Sequence, residues 1–184
     1  MKNVCAALLL IFLTSGHSLA LEVAGVQLDQ VVTVHGQQLK LNGYGIRKKF
    51  FIKVYIGSLY AAKRFVNASE AFGDSGDKLI RMNFLHSKVE KEKILEAFSD
   101  GFTNNSPDLS AAPEVKKFLS LFSADFNRGD VVDLTLSAGG SVTVSHNGKT
   151  LGTVASARLA KGVLAIYLGE KPADESLKRG MLGN

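Results

Sequence analysis

Arg47 and Tyr55 share one β-rich stretch, GYGIRKKFFIKVYIGSLY over 43–60, and are the side chains of this sequence best suited to hold an anion. An arginine fork matches a carboxylate with two parallel charge-assisted hydrogen bonds, and a phenol can add a third. If the stretch is one strand, alternate side chains share a face. Ile46, Phe50, Ile52, Val54 and Ile56 then lie on one side, with Lys48 as its one charge. Arg47, Lys49, Phe51, Lys53, Tyr55 and Leu59 lie on the other. Two readings stay open on this pattern. The second face is solvated, with lysine stems lying along the sheet, or helices cover it and leave an apolar cleft with Arg47 at one end.

Other chemistry finds little support. His35, His86 and His146 are scattered, with no spacing that would gather a metal, so no metal site is expected. No Gly-x-Ser-x-Gly elbow or phosphate-cradling Gly-Lys-Ser/Thr occurs. Gly43-Tyr44-Gly45 resembles part of a dinucleotide fingerprint, but it precedes a strand rather than a helix. No cofactor is therefore expected. A net charge of +5 is compatible with anionic ligands. Without a basic recognition element it does not point to nucleic acid.

The elements that must position Arg47 and Tyr55 read as strands, helices, strands, helices. An opening meander covers 21–41, the stretch at 43–60 is the strongest strand, and 78–85 is another. Ser87-Lys88-Val89-Glu90 has the form of a capping box, with Leu95, Phe98 and Phe102 recurring behind it on a helix running to about Thr103. Asn104-Asn105-Ser106-Pro107 breaks that helix, and 114–122 forms the next one. Strands return at 131–136 and 142–145, and Asn147-Gly148 supplies a hairpin turn. Helices over 159–168 and 175–182 close the chain, the second opened by Asp174. The order predicts an α+β fold with a largely antiparallel sheet.

The first twenty residues, MKNVCAALLLIFLTSGHSLA, read as a signal peptide: a basic start, an apolar run and small residues at Ser18 and Ala20 for cleavage. The run is shorter than the roughly 20 residues a spanning helix needs, so no membrane span is expected. Residues 21–184 form one domain, exported and, by the shape of the signal, destined for a bacterial periplasm. The only cysteine, Cys5, leaves with the signal, so burial and hydrogen bonding must hold the mature fold without disulfides.

Several stretches together resemble the chalcone isomerase-like family: Gly43-x-Gly45-x-Arg47, Phe51-Ile52-Lys53-Val54-Tyr55, Gly57-Ser58-Leu59-Tyr60, the strand at 80–84, the Asn147-Gly148 hairpin and the closing run 164–179. The resemblance implies an open-faced β-sandwich, a large antiparallel sheet covered by a layer of helices with a ligand cleft between them. In the plant isomerases, the arginine on the strand matched by Arg47 stabilises an oxyanion during intramolecular ring closure. Fatty-acid-binding relatives use it, with a nearby tyrosine, to take a carboxylate. Here Tyr55 stands where the enzymes carry threonine, and Ile166 where they carry another hydroxyl residue.

The resemblance therefore implies a non-catalytic binder of a small apolar carboxylate such as a fatty acid. Arg47 and Tyr55 would take the head group, with Phe51, Phe98 and Phe102 as walls and Asn104 and Asn105 nearby. The alternatives are an intramolecular lyase acting on a phenolic enone, with Arg47 catalytic, and an envelope interaction protein whose cleft is unused.

Overall fold

The computed structural model describes residues 21–184, so the expected signal peptide lies outside the described residues. A short hairpin opens the chain, β1 (Leu21–Val23) with β2 (Val26–Leu28). It is followed by β3 (Val31–Val34), β4 (Gln37–Lys49) and β5 (Ile52–Ala61). After α1 (Ala68–Gly73) come β6 (Lys78–Phe84) and the two-residue β7 (Lys88–Val89). The helical part is α2 (Lys91–Asn105), α3 (Pro107–Ser110) and α4 (Pro113–Ser120). Then follow β8 (Phe126–Asn127), β9 (Val131–Leu136), β10 (Ser141–His146) and β11 (Lys149–Ala155). The chain closes with α5 (Ala157–Leu168) and α6 (Glu175–Met181).

Seven strands form one antiparallel sheet in the order β11-β10-β9-β6-β5-β4-β3. Alternation decides which face is covered. In β9, Val132, Leu134 and Leu136 are buried while Asp133 and Thr135 face the other way. The same parity turns Tyr55, Leu59, Ile80, Met82, Phe84, Val142 and Val144 inward, where α2, α4 and α5 cover them in one core. A smaller cluster of Leu39, Tyr60 and Leu79 occupies the opposite face. This is the α+β sheet-and-helix architecture expected.

Three local expectations are corrected. The stretch over 43–60 is not one strand but a hairpin, β4 and β5 reversing at Phe50 and Phe51. Phe50 takes φ 56°, the left-handed conformation usually supplied by Gly or Asn. Two phenylalanines carry no turn signal, which is why the reversal is hidden in sequence. By contrast Asn147 and Gly148 turn at φ 51° and 77°, as their types demand. Ser87 does not cap α2: Lys88–Val89 is drawn into pairing with Phe126–Asn127, and the helix starts later, with Glu90 at its N-cap and no side-chain cap. The opening segment is also not one meander, because β1 and β2 pair only with each other. The starts of α5 and α6 follow their residue types. Ser156 accepts from the Leu159 amide and Asp174 from the Leu177 amide.

Gly43 and Gly45 explain the end of the molecule that bears Arg47. A Cβ at Gly45 would stand 2.8 Å from Leu177 Cα, and one at Gly43 2.7 Å from the Gly183 nitrogen. Their bare backbone lets α6 lie directly on β4. The Gly-x-Gly pattern thus serves helix-to-sheet contact, not phosphate.

Candidate functional site

Pairing across the hairpin brings Arg47 and Tyr55 together, because they are direct register partners in β4 and β5. Residues opposite one another in a ladder point to the same face. Arg47 Nη1 donates to the Tyr55 hydroxyl at 3.4 Å, and its guanidinium carbon lies 5.7 Å from the Tyr55 ring centroid. A register shift between Arg47 and Lys48 frees the Lys48 N–H, which donates to Asp174 Oδ2 at 3.2 Å. The same carboxylate caps α6 through Oδ1, 2.9 Å from the Leu177 nitrogen. Asp174 therefore ties the helix start to the strand beside Arg47.

Helices supply the rest of the surroundings. Ile94, Ala97 and Phe98 recur on one face of α2, and Ile166 and Tyr167 come from α5. With Arg47, Tyr55 and Met82 they enclose a space of about 10 Å³, room for a single water-sized group. Gly101 allows α5 this close, since a Cβ there would stand 2.8 Å from Ile166 side-chain carbons. The Tyr167 hydroxyl donates to Met82 Sδ at 3.2 Å. Burial, with Tyr55 beside it, pushes the Tyr167 phenol well above its usual pKa, against the pull of Arg47. Arg47 is itself raised above the usual guanidinium value. Tyr55 contributes most to this, and burial opposes it.

Arg47 also lines a second space, a groove of about 330 Å³ that opens outward. Ile52, Val54, Val89, Ile94 and Ala97 supply apolar wall, while Lys49, His86, Lys88, Glu90 and Lys93 stand among them. Arg47, Ile94 and Ala97 border both spaces, so the guanidinium stands at the inner end of the groove with the tyrosines behind it. Among the described residues, no carboxylate forms an ion pair with Arg47.

Over residues 20–183 the sequence matches the family model described as chalcone isomerase-like. The chain belongs to the chalcone isomerase-like family. One relative is fatty-acid-binding protein 1 of Arabidopsis thaliana, 27% identical over 180 residues, covering 81% of this chain. The chain spans 64% of that protein's length. A crystal structure of an Arabidopsis thaliana fatty-acid binding protein superposes with a TM-score of 0.67 at 23% identity, covering 86% of this chain and 92% of that one. That likeness confirms the chalcone isomerase-like sheet-and-helix fold.

Of the residues singled out from sequence, the fold gathers Arg47, Tyr55 and Phe98. Phe51 is no wall: it sits at the hairpin tip, 99% exposed. Phe102 is fully buried but packs within the helical layer, edge-on to Phe118 at 6.0 Å, and does not border the Arg47 spaces. Asn104 is exposed and, with Asn105, borders a different and wide groove that shares no residue with the Arg47 site. The Asn105 amide is a latch for backbone. It donates to the Gly101 and Lys171 carbonyls at 3.0 and 2.7 Å and accepts from the Lys171 nitrogen at 3.0 Å. Tyr167 is the member that sequence reasoning missed. Its signal was a hydroxyl in the otherwise apolar run Val163–Leu168, where an unneeded polar group would cost burial energy.

Proposed function

We propose that this chalcone isomerase-like protein is a non-catalytic binder of a fatty-acid-type carboxylate, with Arg47 as the head-group anchor. The observation that carries the reading is a half-buried guanidinium that has no ion-pair partner among the described residues and stands at the inner end of an apolar groove. A buried charge is ordinarily paired, and one left available in a cleft is suited to an incoming anion. The carboxylate would take the guanidinium fork, with the Tyr55 hydroxyl alongside, and the acyl chain would lie along Ile52, Val54, Val89 and Ile94. The groove volume falls within the range of small-molecule sites. The name of the Arabidopsis relative supports the same ligand class.

Two features favour binding over catalysis. Tyr167 is held protonated by burial and so is a donor rather than a base at neutral pH. Tyr55, likewise a phenol, replaces the threonine expected of the isomerases on the arginine's strand. The N-terminal pattern supports export to the periplasm as part of the same reading.

Titration of the full chain with laurate tests the proposal. Arg47→Gln is expected to weaken binding about 30-fold, the worth of a charged hydrogen-bonded pair, while the fold persists. Equal laurate affinity in the two proteins would refute it. Turnover of chalcones that disappears in Arg47→Gln would instead favour the lyase reading.

A further inference from the structure

The β4–β5 hairpin tip breaks three local rules at once. Phe50 and Phe51 are 87% and 99% exposed, and Ile52 is 47% exposed. An apolar cluster of this kind on a surface marks a contact site. Phe50 holds the left-handed backbone at φ 56°, unfavourable for a bulky aromatic. Lys48 and Lys53 are direct cross-strand partners, a like-charge pairing that destabilises a hairpin. Lys49 adds a third exposed ammonium. No Asp or Glu occurs between Asp29 and Glu70, so the hairpin carries no acid of its own. Asp174, which reaches the hairpin, is engaged by the Lys48 backbone N–H and the α6 start, and Glu90 stands across the groove that Phe50 and Ile52 border.

We propose that this tip docks on an anionic lipid bilayer. Phe50, Phe51 and Ile52 enter the interfacial region, and Lys48, Lys49 and Lys53 lie against the lipid head groups. Aromatic side chains ringed by lysines suit that boundary, where rings bury and ammonium groups stay among phosphates. The external anions also relieve the Lys48–Lys53 opposition. Phe50 and Ile52 line the outward groove that ends at Arg47, so docking turns the groove mouth toward the bilayer. The inference goes beyond the acid-binding reading and does not require it.

The chain contains no tryptophan, so Phe51→Trp in the full chain reports the tip alone. Val66→Trp is the control: Val66 is 49% exposed and follows the far end of β5, about 30 Å from the tip at the usual strand rise. With equimolar phosphatidylglycerol/phosphatidylcholine vesicles, the emission at 51 is expected to shift to the blue and to be quenched by brominated acyl chains. Emission at 66 should not change. Phosphatidylcholine vesicles alone should give a much weaker response. Lys48→Gln/Lys53→Gln in the Phe51→Trp background should lower partition into the anionic vesicles about 25-fold, roughly fivefold per lysine near such a surface. Neither lysine borders the groove, so laurate affinity should persist in this variant, which separates failure of docking from failure of acid binding. Unmoved emission at 51, equal quenching at 51 and 66, or partition indifferent to the lysine changes would each overturn the proposal. Unmoved emission would assign the tip to a protein partner instead.

Discussion

Arg47 and Arg81 stand on opposite faces of the same sheet, and the protein treats them differently. Arg81 Nε and Nη2 donate to the two oxygens of Asp133 at 2.7 and 2.9 Å, and Nη1 donates to Asp29 at 2.7 Å. Arg47 has one 3.4 Å bond to a phenol. Each guanidinium lies over a tyrosine ring, at 5.7 Å for Tyr55 and 5.8 Å for Tyr60. Both are pushed above the usual arginine pKa, chiefly by Tyr55 for Arg47 and by the Asp133 hydrogen bonds for Arg81. The aromatic support is equivalent. Only the carboxylates differ. Arg81 sits in a closed ion-pair network of the outer face, while Arg47 has no carboxylate partner among the described residues.

Exchanging the consequences would break that comparison. Arg81→Ala leaves Asp133 and Asp29 without their cation and is expected to cost about 3 kcal/mol in a urea melt, with laurate affinity retained. Arg47→Gln should move the melt by less than about 1 kcal/mol and weaken laurate binding about 30-fold instead. A large stability loss at Arg47 with none at Arg81 would reverse the assignment of structural and ligand-binding arginine.

Gly45→Ala tests the support under Arg47. The added methyl meets Leu177 backbone rather than a yielding side chain, so about 2 kcal/mol of stability should be lost. The displaced α6 would strain the Asp174 tie to Lys48, and laurate affinity should fall with it. Full stability in Gly45→Ala would mean that α6 does not rest on this strand. Tyr55→Phe has a smaller expected effect. It removes the one side-chain hydrogen bond that Arg47 makes among the described residues and should weaken laurate binding about fivefold. An unchanged affinity would leave the anchor to Arg47 alone.

The two arginines also show how far sequence reaches. Arg47 drew attention because it interrupts a β-rich apolar run, and its pairing with Tyr55 was inferred from alternation along one strand. The fold places the two on one face by register across a hairpin, a different cause with the same outcome. Phe50-Phe51 hid the turn, because the positive φ at Phe50 is imposed against residue type. The sheet, the pairing at Asn147-Gly148 and the helix start at Asp174 were legible because residue type and conformation agree there. Ser87 misled for the opposite reason: a good cap pattern was overruled by the β7–β8 pairing. The aromatics Phe51, Phe98 and Phe102 look alike in sequence but end at a tip, a cavity wall and a core, a distinction only tertiary packing makes. Asn105 matched a polar-site expectation and proved to be a backbone latch, while Tyr167 carries a readable signal, a hydroxyl in an apolar run, whose partners only the fold supplies.

A third charged cluster extends the contrast to groups that titrate. Asp74 receives Lys63 Nζ at 2.8 Å and Lys78 Nζ at 2.9 Å, and Lys78 is itself buried. Burial pushes the Asp74 carboxyl up, but the hydrogen bonds from Lys63, Lys78 and the Gly76 N–H outweigh it and bring its pKa to about 2. A carboxyl depressed in the folded state stabilises the fold at pH values above its unfolded pKa near 3.8. That stabilisation is lost as pH falls toward about 2. Solvent around Lys63 screens part of it, leaving on the order of 1 kcal/mol. Thermal melts from pH 5 down to pH 2 should therefore show the wild-type midpoint falling through this window. Asp77 and Asp130, also depressed, act in the same direction, so Asp74→Asn should flatten the slope without abolishing it. An equally steep slope in Asp74→Asn would show that the acid sensitivity belongs to Asp77 and Asp130 rather than to this lysine-bound aspartate.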